Sequence, residues 1–208
     1  MRTIIRNPAP PDCLTEQPAG QDWGTFMQTD CHRLVGQSLR AEQYHVCCYC
    51  ESEVTETDSH IEHYIPRNGP DGDGSLTYSY RNIGASCNGG PGDNRHCGHF
   101  KGGHCDGLQF VPPDNPSTCT LFQYLESGNI IPRPTASPAE QARARYLIDL
   151  LNLNCPRLVG RRRDHARNIR KTLRDPSSTE WIVAFYLDSH ENGTLRPFHS
   201  LSRTILLP

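Results

Sequence analysis

The spacing of apolar positions along the chain changes several times, and each change marks an element. From Asp22 to Tyr44, Trp23, Phe26, Met27, Leu34 and Leu39 form a rough apolar stripe, which predicts a helix. In His60–Arg67 (HIEHYIPR), Ile61, His63 and Ile65 alternate with His60, Glu62 and Tyr64; this is strand period, closed by Pro66. Cys119–Pro132 (CTLFQYLESGNIIP) reads as a β-hairpin turning at Ser127-Gly128-Asn129. Ser137 as N-cap and Pro138 at the first helical position predict the start of a helix. A second helix follows from Pro156 to Arg174, ended by Asp175-Pro176, and a third covers Thr179–Leu187, stopped near Asn192-Gly193. Residues 1–20 read as an irregular Pro-rich lead-in, and Asn68–Ser75 (NGPDGDGS) as a turn-forming surface loop. The fold class is therefore α+β, with a small centre flanked by helices. The expected divisions are 1–46 (N-terminal helical flank), 47–110 (centre) and 111–208 (hairpin and helical region), packed as one domain.

Composition explains why such a chain needs a staple. Of 208 residues only 35% are hydrophobic, with 17 Gly and 17 Pro, so the core is thin for the length. Ten cysteines are present, six of them within residues 45–110. The opening MRTIIRNPAPPDC has no apolar secretory segment, and no run approaches the roughly 18 apolar residues of a membrane span. The expectation is a cytoplasmic protein with no membrane partner, whose thiols serve metal rather than disulfides. The formal charge is −2, but Arg133–Arg174 holds ten Arg and Lys171 against Glu140, Asp149 and Asp164, a local balance of +8. Such a segment is either a polyanion-facing surface or a solvated helix face. On the first reading Arg161, Arg162 and Arg163 hold substrate phosphates.

Cys47 and Cys50, in CCYC, carry the spacing of a tight metal knuckle. Cys87 and Cys97 are the best second pair, separated by a Gly/Pro/Asp/Asn loop that lets the chain double back. These four predict a structural tetrahedral Zn²⁺ site, with His104 and Cys105 as rivals for the fourth place. Cys13, Cys31, Cys119 and Cys155 are isolated and read as inert core residues.

The chemistry sits on the predicted strand. An imidazole titrating near neutrality suits His63 to deprotonate a water for attack on phosphorus; the plainer alternative is a satisfied core histidine. Glu62 beside it suits a hard divalent cation, Mg²⁺ or another, that neutralises the scissile phosphate. Neighbours on a regular strand point to opposite faces, so both reach one site only if the ribbon twists strongly or a helix caps its edge. Asn82, in SYRNIG, orients the imidazole or ligates the cation; it also fits a turn asparagine. His99 is a further candidate ligand, with Lys101 contacting phosphate.

The order of these pieces (CCYCE, then IEHYIP, RN ahead of a Cys, and CGHFK) resembles the HNH nucleases with a four-cysteine zinc site. More narrowly it is similar to the PtuB-type HNH proteins of Septu and retron-associated bacterial defence systems. The opening MRTIIRNPAPPDCL, the hairpin LFQYLESGNIIP and LIDLLNLNCPRLVGRRR look like the same family's. The resemblance implies a zinc-stapled ββα-metal centre with His63 as base, Glu62 holding the cation and Asn82 as the middle residue of the H-N-H triplet. It implies nucleic acid, DNA or RNA, as substrate, and a companion ATPase of the PtuA type. Two positions depart from it. Glu62 stands where many relatives have Asp. Gly98 stands where many carry His or Asn, which leaves His99 and Asn88 as alternatives for the last ligand. The competing classes are a non-catalytic zinc module for nucleic acid or protein, which has no need of Glu62-His63, and a redox-sensing protein using Cys47, Cys48 and Cys50, which lacks a thioredoxin-like context.

Overall fold

A computed structural model describes residues 1–17, 21–174 and 179–207. The predicted helix from Asp22 to Tyr44 is two helices, α2 (Trp23–Phe26) and α3 (Asp30–Glu42). The break has a local cause. Asp22 accepts from Thr25 N and Thr29 accepts from His32 N, so each starts a helix of its own. The lead-in is not wholly irregular, because it holds the short helix α1 (Asp12–Thr15). Cys13 on α1 is disulfide-bonded to Cys31 on α3, with Cα atoms 5.8 Å apart. This corrects the expectation that both cysteines are isolated thiols; residues 18 apart in sequence meet because α1 packs on α3.

The predicted strand is β1 (Ser59–His63), shorter at its C-terminal end. It pairs antiparallel with β2 (Ile83–Cys87), setting Glu62 opposite Gly84 and His63 opposite Ile83. Beyond His63 the chain leaves the ladder and is held from the side: Asn82 Oδ1 accepts from Ile65 N at 2.9 Å, and Asn82 Nδ2 donates to Ile65 O at 3.0 Å and Leu76 O at 3.2 Å. A single-turn helix, α4 (Gly98–Lys101), follows Cys97.

The predicted hairpin is present as β3 (Phe122–Tyr124) and β4 (Ile130–Pro132), with Phe122 opposite Pro132. Gly128 at its turn has φ +93°, and a Cβ there would strike the Val159 carbonyl. Cys119 lies just before β3 and is exposed, not a core residue. Helix α5 (Pro138–Leu150) begins with a full capping box between Ser137 and Glu140. Helices α6 (Pro156–Thr172) and α7 (Thr179–Leu187) match expectation, while the predicted stop at Asp175-Pro176 lies outside the described residues. The chain closes with an unpredicted helix, α8 (His199–Leu206), which packs against α6, α7 and β3. Among the described residues no helix is long and apolar enough to cross a membrane.

Two apolar clusters hold these pieces. The larger joins the cysteine knuckle, Tyr49 and Tyr64 to Leu121, Leu147, Leu158, Ile182 and Leu201. The smaller packs Trp23, Phe26, Val35 and Leu39 against Tyr80, Ile83 and Ala85. The β1–β2 ribbon stands between them, so its two faces meet different surroundings.

Candidate metal centre and nuclease site

Cys47, Cys50, Cys87 and Cys97 bring their sulfurs within 4.8 Å of one another, all buried. Their arrangement follows from the ribbon: Cys87 ends β2, Cys97 precedes α4, and the Cys47 and Cys50 knuckle docks on both. Cys47 Sγ is 3.8 Å from Cys97 Sγ, and Cys50 Sγ is 3.7 Å from Cys87 Sγ. A tetrahedron of zinc–sulfur bonds of about 2.3 Å has edges of about 3.8 Å, so the set fits Zn²⁺. Burial opposes the Cys47 thiolate, but hydrogen bonds from the neighbouring thiols outweigh it and hold its pKa well below the ordinary range. The same balance leaves Cys50 at about 6, while burial and neighbouring sulfurs push Cys97 well up. Four thiols crowded in this way share negative charge, which a bound dication neutralises. The rivals lie elsewhere. Cys105 is buried beside Asp71, with its N–H 3.1 Å from Asp71 Oδ2, and His104 is exposed.

One face of β1 turns toward α4. Glu62, 7% exposed, accepts from Lys101 Nζ at 3.0 Å and from the Tyr49 hydroxyl at 3.3 Å. His60, two residues earlier and so on the same face, places Nε2 3.4 Å from Glu62 Oε2 and Nδ1 3.2 Å from Asn88 Oδ1. If Nδ1 donates to Asn88, as that oxygen requires, Nε2 is the nitrogen left facing the carboxylate. His99 stacks flat on His60, ring centroids 4.3 Å apart, and is anchored through Nδ1 to Asn88 O at 2.7 Å. Burial works against the Glu62 carboxylate, yet His60 and Lys101 hold its pKa below the usual value. Burial likewise lowers His60, and Glu62 more than reverses it.

Gly98 makes this arrangement possible. A Cβ at that position would overlap the Glu62 carboxylate and lie 2.7 Å from His60 Nε2. The space beside Gly98 is thus occupied from the strand side, by His60 and Glu62. Glu62, His60 and the His99 ring gather one carboxylate and two imidazoles, donor types that suit a divalent cation, whereas the four cysteines are the group of the described residues whose ligand atoms already converge.

The other face of β1 carries His63. It is 7% exposed, packs edge-on to Trp23 with centroids 4.5 Å apart, and bonds through Nε2 to Thr77 O at 2.9 Å. Burial, with the Arg67 charge, pulls its pKa down to about 4. Asn82 lies near this face, its amide already committed to Ile65 and Leu76. The structure therefore brings together Glu62, His60, His99 and Asn88, and sets His63 and Asn82 apart from them.

Two expected phosphate contacts are corrected. Lys101 is 2% exposed and spans Glu62 and the His63 carbonyl (3.0 Å), so its charge is used inside the site. Arg162 is fully buried on the inner face of α6, bonded to Leu153 O. Of its neighbours, Arg161 lies over the Phe198 ring and Arg163 faces solvent. The sequence offers His60 only as the next candidate base after His63; the signal for its pairing with Glu62 is its place two residues earlier on the strand.

No protein-family profile matches the chain. A curated relative does: over 138 residues the chain is 28% identical to "Retron Vc95 putative HNH endonuclease" of Vibrio cholerae serotype O1 biovar El Tor, covering 66% of each chain. The chain resembles an HNH endonuclease with a four-cysteine zinc site. It spans about two thirds of that HNH relative's length.

Proposed function

We propose that the protein is a divalent-cation-dependent endonuclease that hydrolyses phosphodiester bonds in nucleic acid. The observation that carries this reading is the buried Glu62 carboxylate, held with His60 and His99 over Gly98 at the edge of a four-cysteine knuckle. A non-catalytic zinc module has no use for such a carboxylate. Glu62 and His99 would hold the cation, which when bound would neutralise charge on the scissile phosphate and its leaving oxygen, with His60 bracing the carboxylate. His60 Nε2 stands where it takes a proton from the attacking water, and Asn88 fixes its ring. Lys101 and the Tyr49 hydroxyl hold the carboxylate in place.

A second reading keeps His63 as the base, as the EHYIP resemblance implies, with Asn82 fixing the loop beside it. It is favoured by one feature: Nε2 donating to Thr77 O leaves Nδ1 with the lone pair. Its burial and lowered pKa make it the weaker base of the two.

From the resemblance to PtuB-type HNH proteins we further propose that the protein acts as an effector nuclease in anti-phage defence, together with a PtuA-type ATPase. The chain itself has no Gly-rich Lys-Ser/Thr phosphate loop, so ATP control would come from a partner. Trp181, 57% exposed and stacked on Phe185, lies outside the core, whereas Ile182 is buried.

Cleavage of DNA and RNA substrates with Mg²⁺, Mn²⁺ or no added cation tests the activity. Cation-dependent cutting lost in Glu62→Gln supports it; no cutting of either polymer by the zinc-loaded protein, alone or co-purified with the ATPase, contradicts it.

A further inference from the structure

Beside His60, on the side away from α4, a groove of about 190 Å³ runs between α3 and the start of β1. His32, Arg33, Gly36 and Arg40 line it from α3, and Glu56, Ser59 and His60 from the other wall. Arg40 is 9% exposed, and its side chain makes no hydrogen bond or ion pair with any described residue. Its guanidinium lies against Gly36, where an added Cβ would come within 3.2 Å of Nη1. Its nitrogens open into the groove rather than onto a protein partner, with Glu56 the carboxylate near them, so the guanidinium fork is free to take an anion with oxygens. Arg33, about two helical turns earlier and half-exposed, is paired among the described residues only with the solvent-exposed Asp30, at 3.6 Å. Against these two cations the groove sets one carboxylate, Glu56.

We propose that this groove binds backbone phosphates of the nucleic-acid substrate, with Arg40 and Arg33 as positioning residues that lead the strand onto His60. The inference rests on the nuclease reading above and assigns the substrate grip to α3 in place of the arginine run on α6. The groove fits because it ends at a residue of the candidate site, so a phosphate on Arg40 has its neighbour along the strand near that site. The phosphate group is common to DNA and RNA, and the guanidinium recognises it in either.

The test is fluorescence anisotropy of zinc-loaded protein, without added Mg²⁺ or Mn²⁺, on a labelled DNA duplex and on single-stranded RNA across a salt series. Arg33→Gln with Arg40→Gln should weaken binding at least about tenfold and flatten the log–log salt slope by about 1.8 on duplex, since each lost phosphate contact removes about 0.9. On RNA the expected change is about 1.4, at about 0.7 per contact. The charge-matched Arg203→Gln, at an exposed position of α8, should leave both unchanged, and Arg40→Lys should keep the slope. Should Arg40→Gln unfold, the exposed Arg33→Gln alone must still flatten the duplex slope by about 0.9. Wild-type affinity and slope in the Arg33 and Arg40 variants, in a protein that binds and cuts, overturn this inference and leave the nuclease reading intact. A wild-type protein that binds neither polymer overturns both.

Discussion

The two faces of β1 carry histidines three residues apart with opposite fates. His63 sinks against Trp23 and is held neutral, its pKa pulled down to about 4 by burial and Arg67. His60 keeps one edge open, faces Glu62 and stacks on His99. Sequence adjacency ties Glu62 to His63, whereas strand geometry ties it to His60, because successive side chains alternate and every second one shares a face. Each face also has its own support. The His63 face rests on the small cluster of Trp23 and Phe26, and the Glu62 face on the zinc knuckle and α4. Chemistry is expected where a buried carboxylate meets imidazoles over an open backbone, and stability where an imidazole is sealed.

Removing what both faces share should have the largest effect. Cys50→Ser takes a ligand from the knuckle, and structural zinc contributes on the order of 10 kcal/mol to folding. Zinc content and the cooperative melting transition should be lost together, with both faces disrupted; elemental analysis finding no zinc in the wild-type protein would contradict the staple. Next comes the Glu62 face. His60→Ala should slow cleavage by about 10²–10⁴-fold with zinc content retained. His63→Ala should stay within about tenfold of wild type while melting earlier. Reversal of that order in single-turnover rates would make His63 the base.

Acid separates the faces in a smaller way. Unfolded histidine titrates near 6.5, and folded His63 near about 4, so the unfolded chain takes up the proton first. The stability contributed by neutral His63 is present above about pH 6.5 and is lost as pH falls toward 4, by at most about 3 kcal/mol. His63→Phe should flatten the stability profile over that window, read by urea unfolding at several pH values. An unchanged profile would show that His63 is not sealed. The Cys13–Cys31 disulfide, which fastens α1 to α3 beside the His63 face, should add about 3 kcal/mol. Reduction should lower the melting temperature and leave zinc content untouched.

How much of this was legible in the sequence varied with the length scale of the signal. The Ser137 cap and Pro138 gave the start of α5 because capping is a local matter. The four cysteines could be grouped because knuckle spacing is local for Cys47 and Cys50, and the loop between Cys87 and Cys97 is built to fold back. The Cys13–Cys31 pair was invisible, since nothing in its spacing tells that α1 returns to α3. Arg162 could not be told from Arg161 and Arg163, because a run of like residues on a helix does not say which face is buried. The break at Thr29 was readable, as a threonine before Asp30 is an N-cap, but the apolar stripe runs across it. The pairing of His60 with Glu62 followed from alternation alone; that Gly98 leaves room for it needed the third dimension.

The central claim is that the cation sits on the Glu62 face, so the most direct measurement is cation binding itself. Zinc-loaded wild type, His60→Ala, Glu62→Gln and His63→Ala would each be titrated with Mn²⁺ and free Mn²⁺ read by electron paramagnetic resonance, with no substrate present. The account predicts affinity lowered at least about tenfold in His60→Ala and Glu62→Gln and unchanged in His63→Ala, a loss within the 10–100-fold range seen when residues around a metal are altered. Mn²⁺ binding that survives His60→Ala but falls in His63→Ala would contradict it.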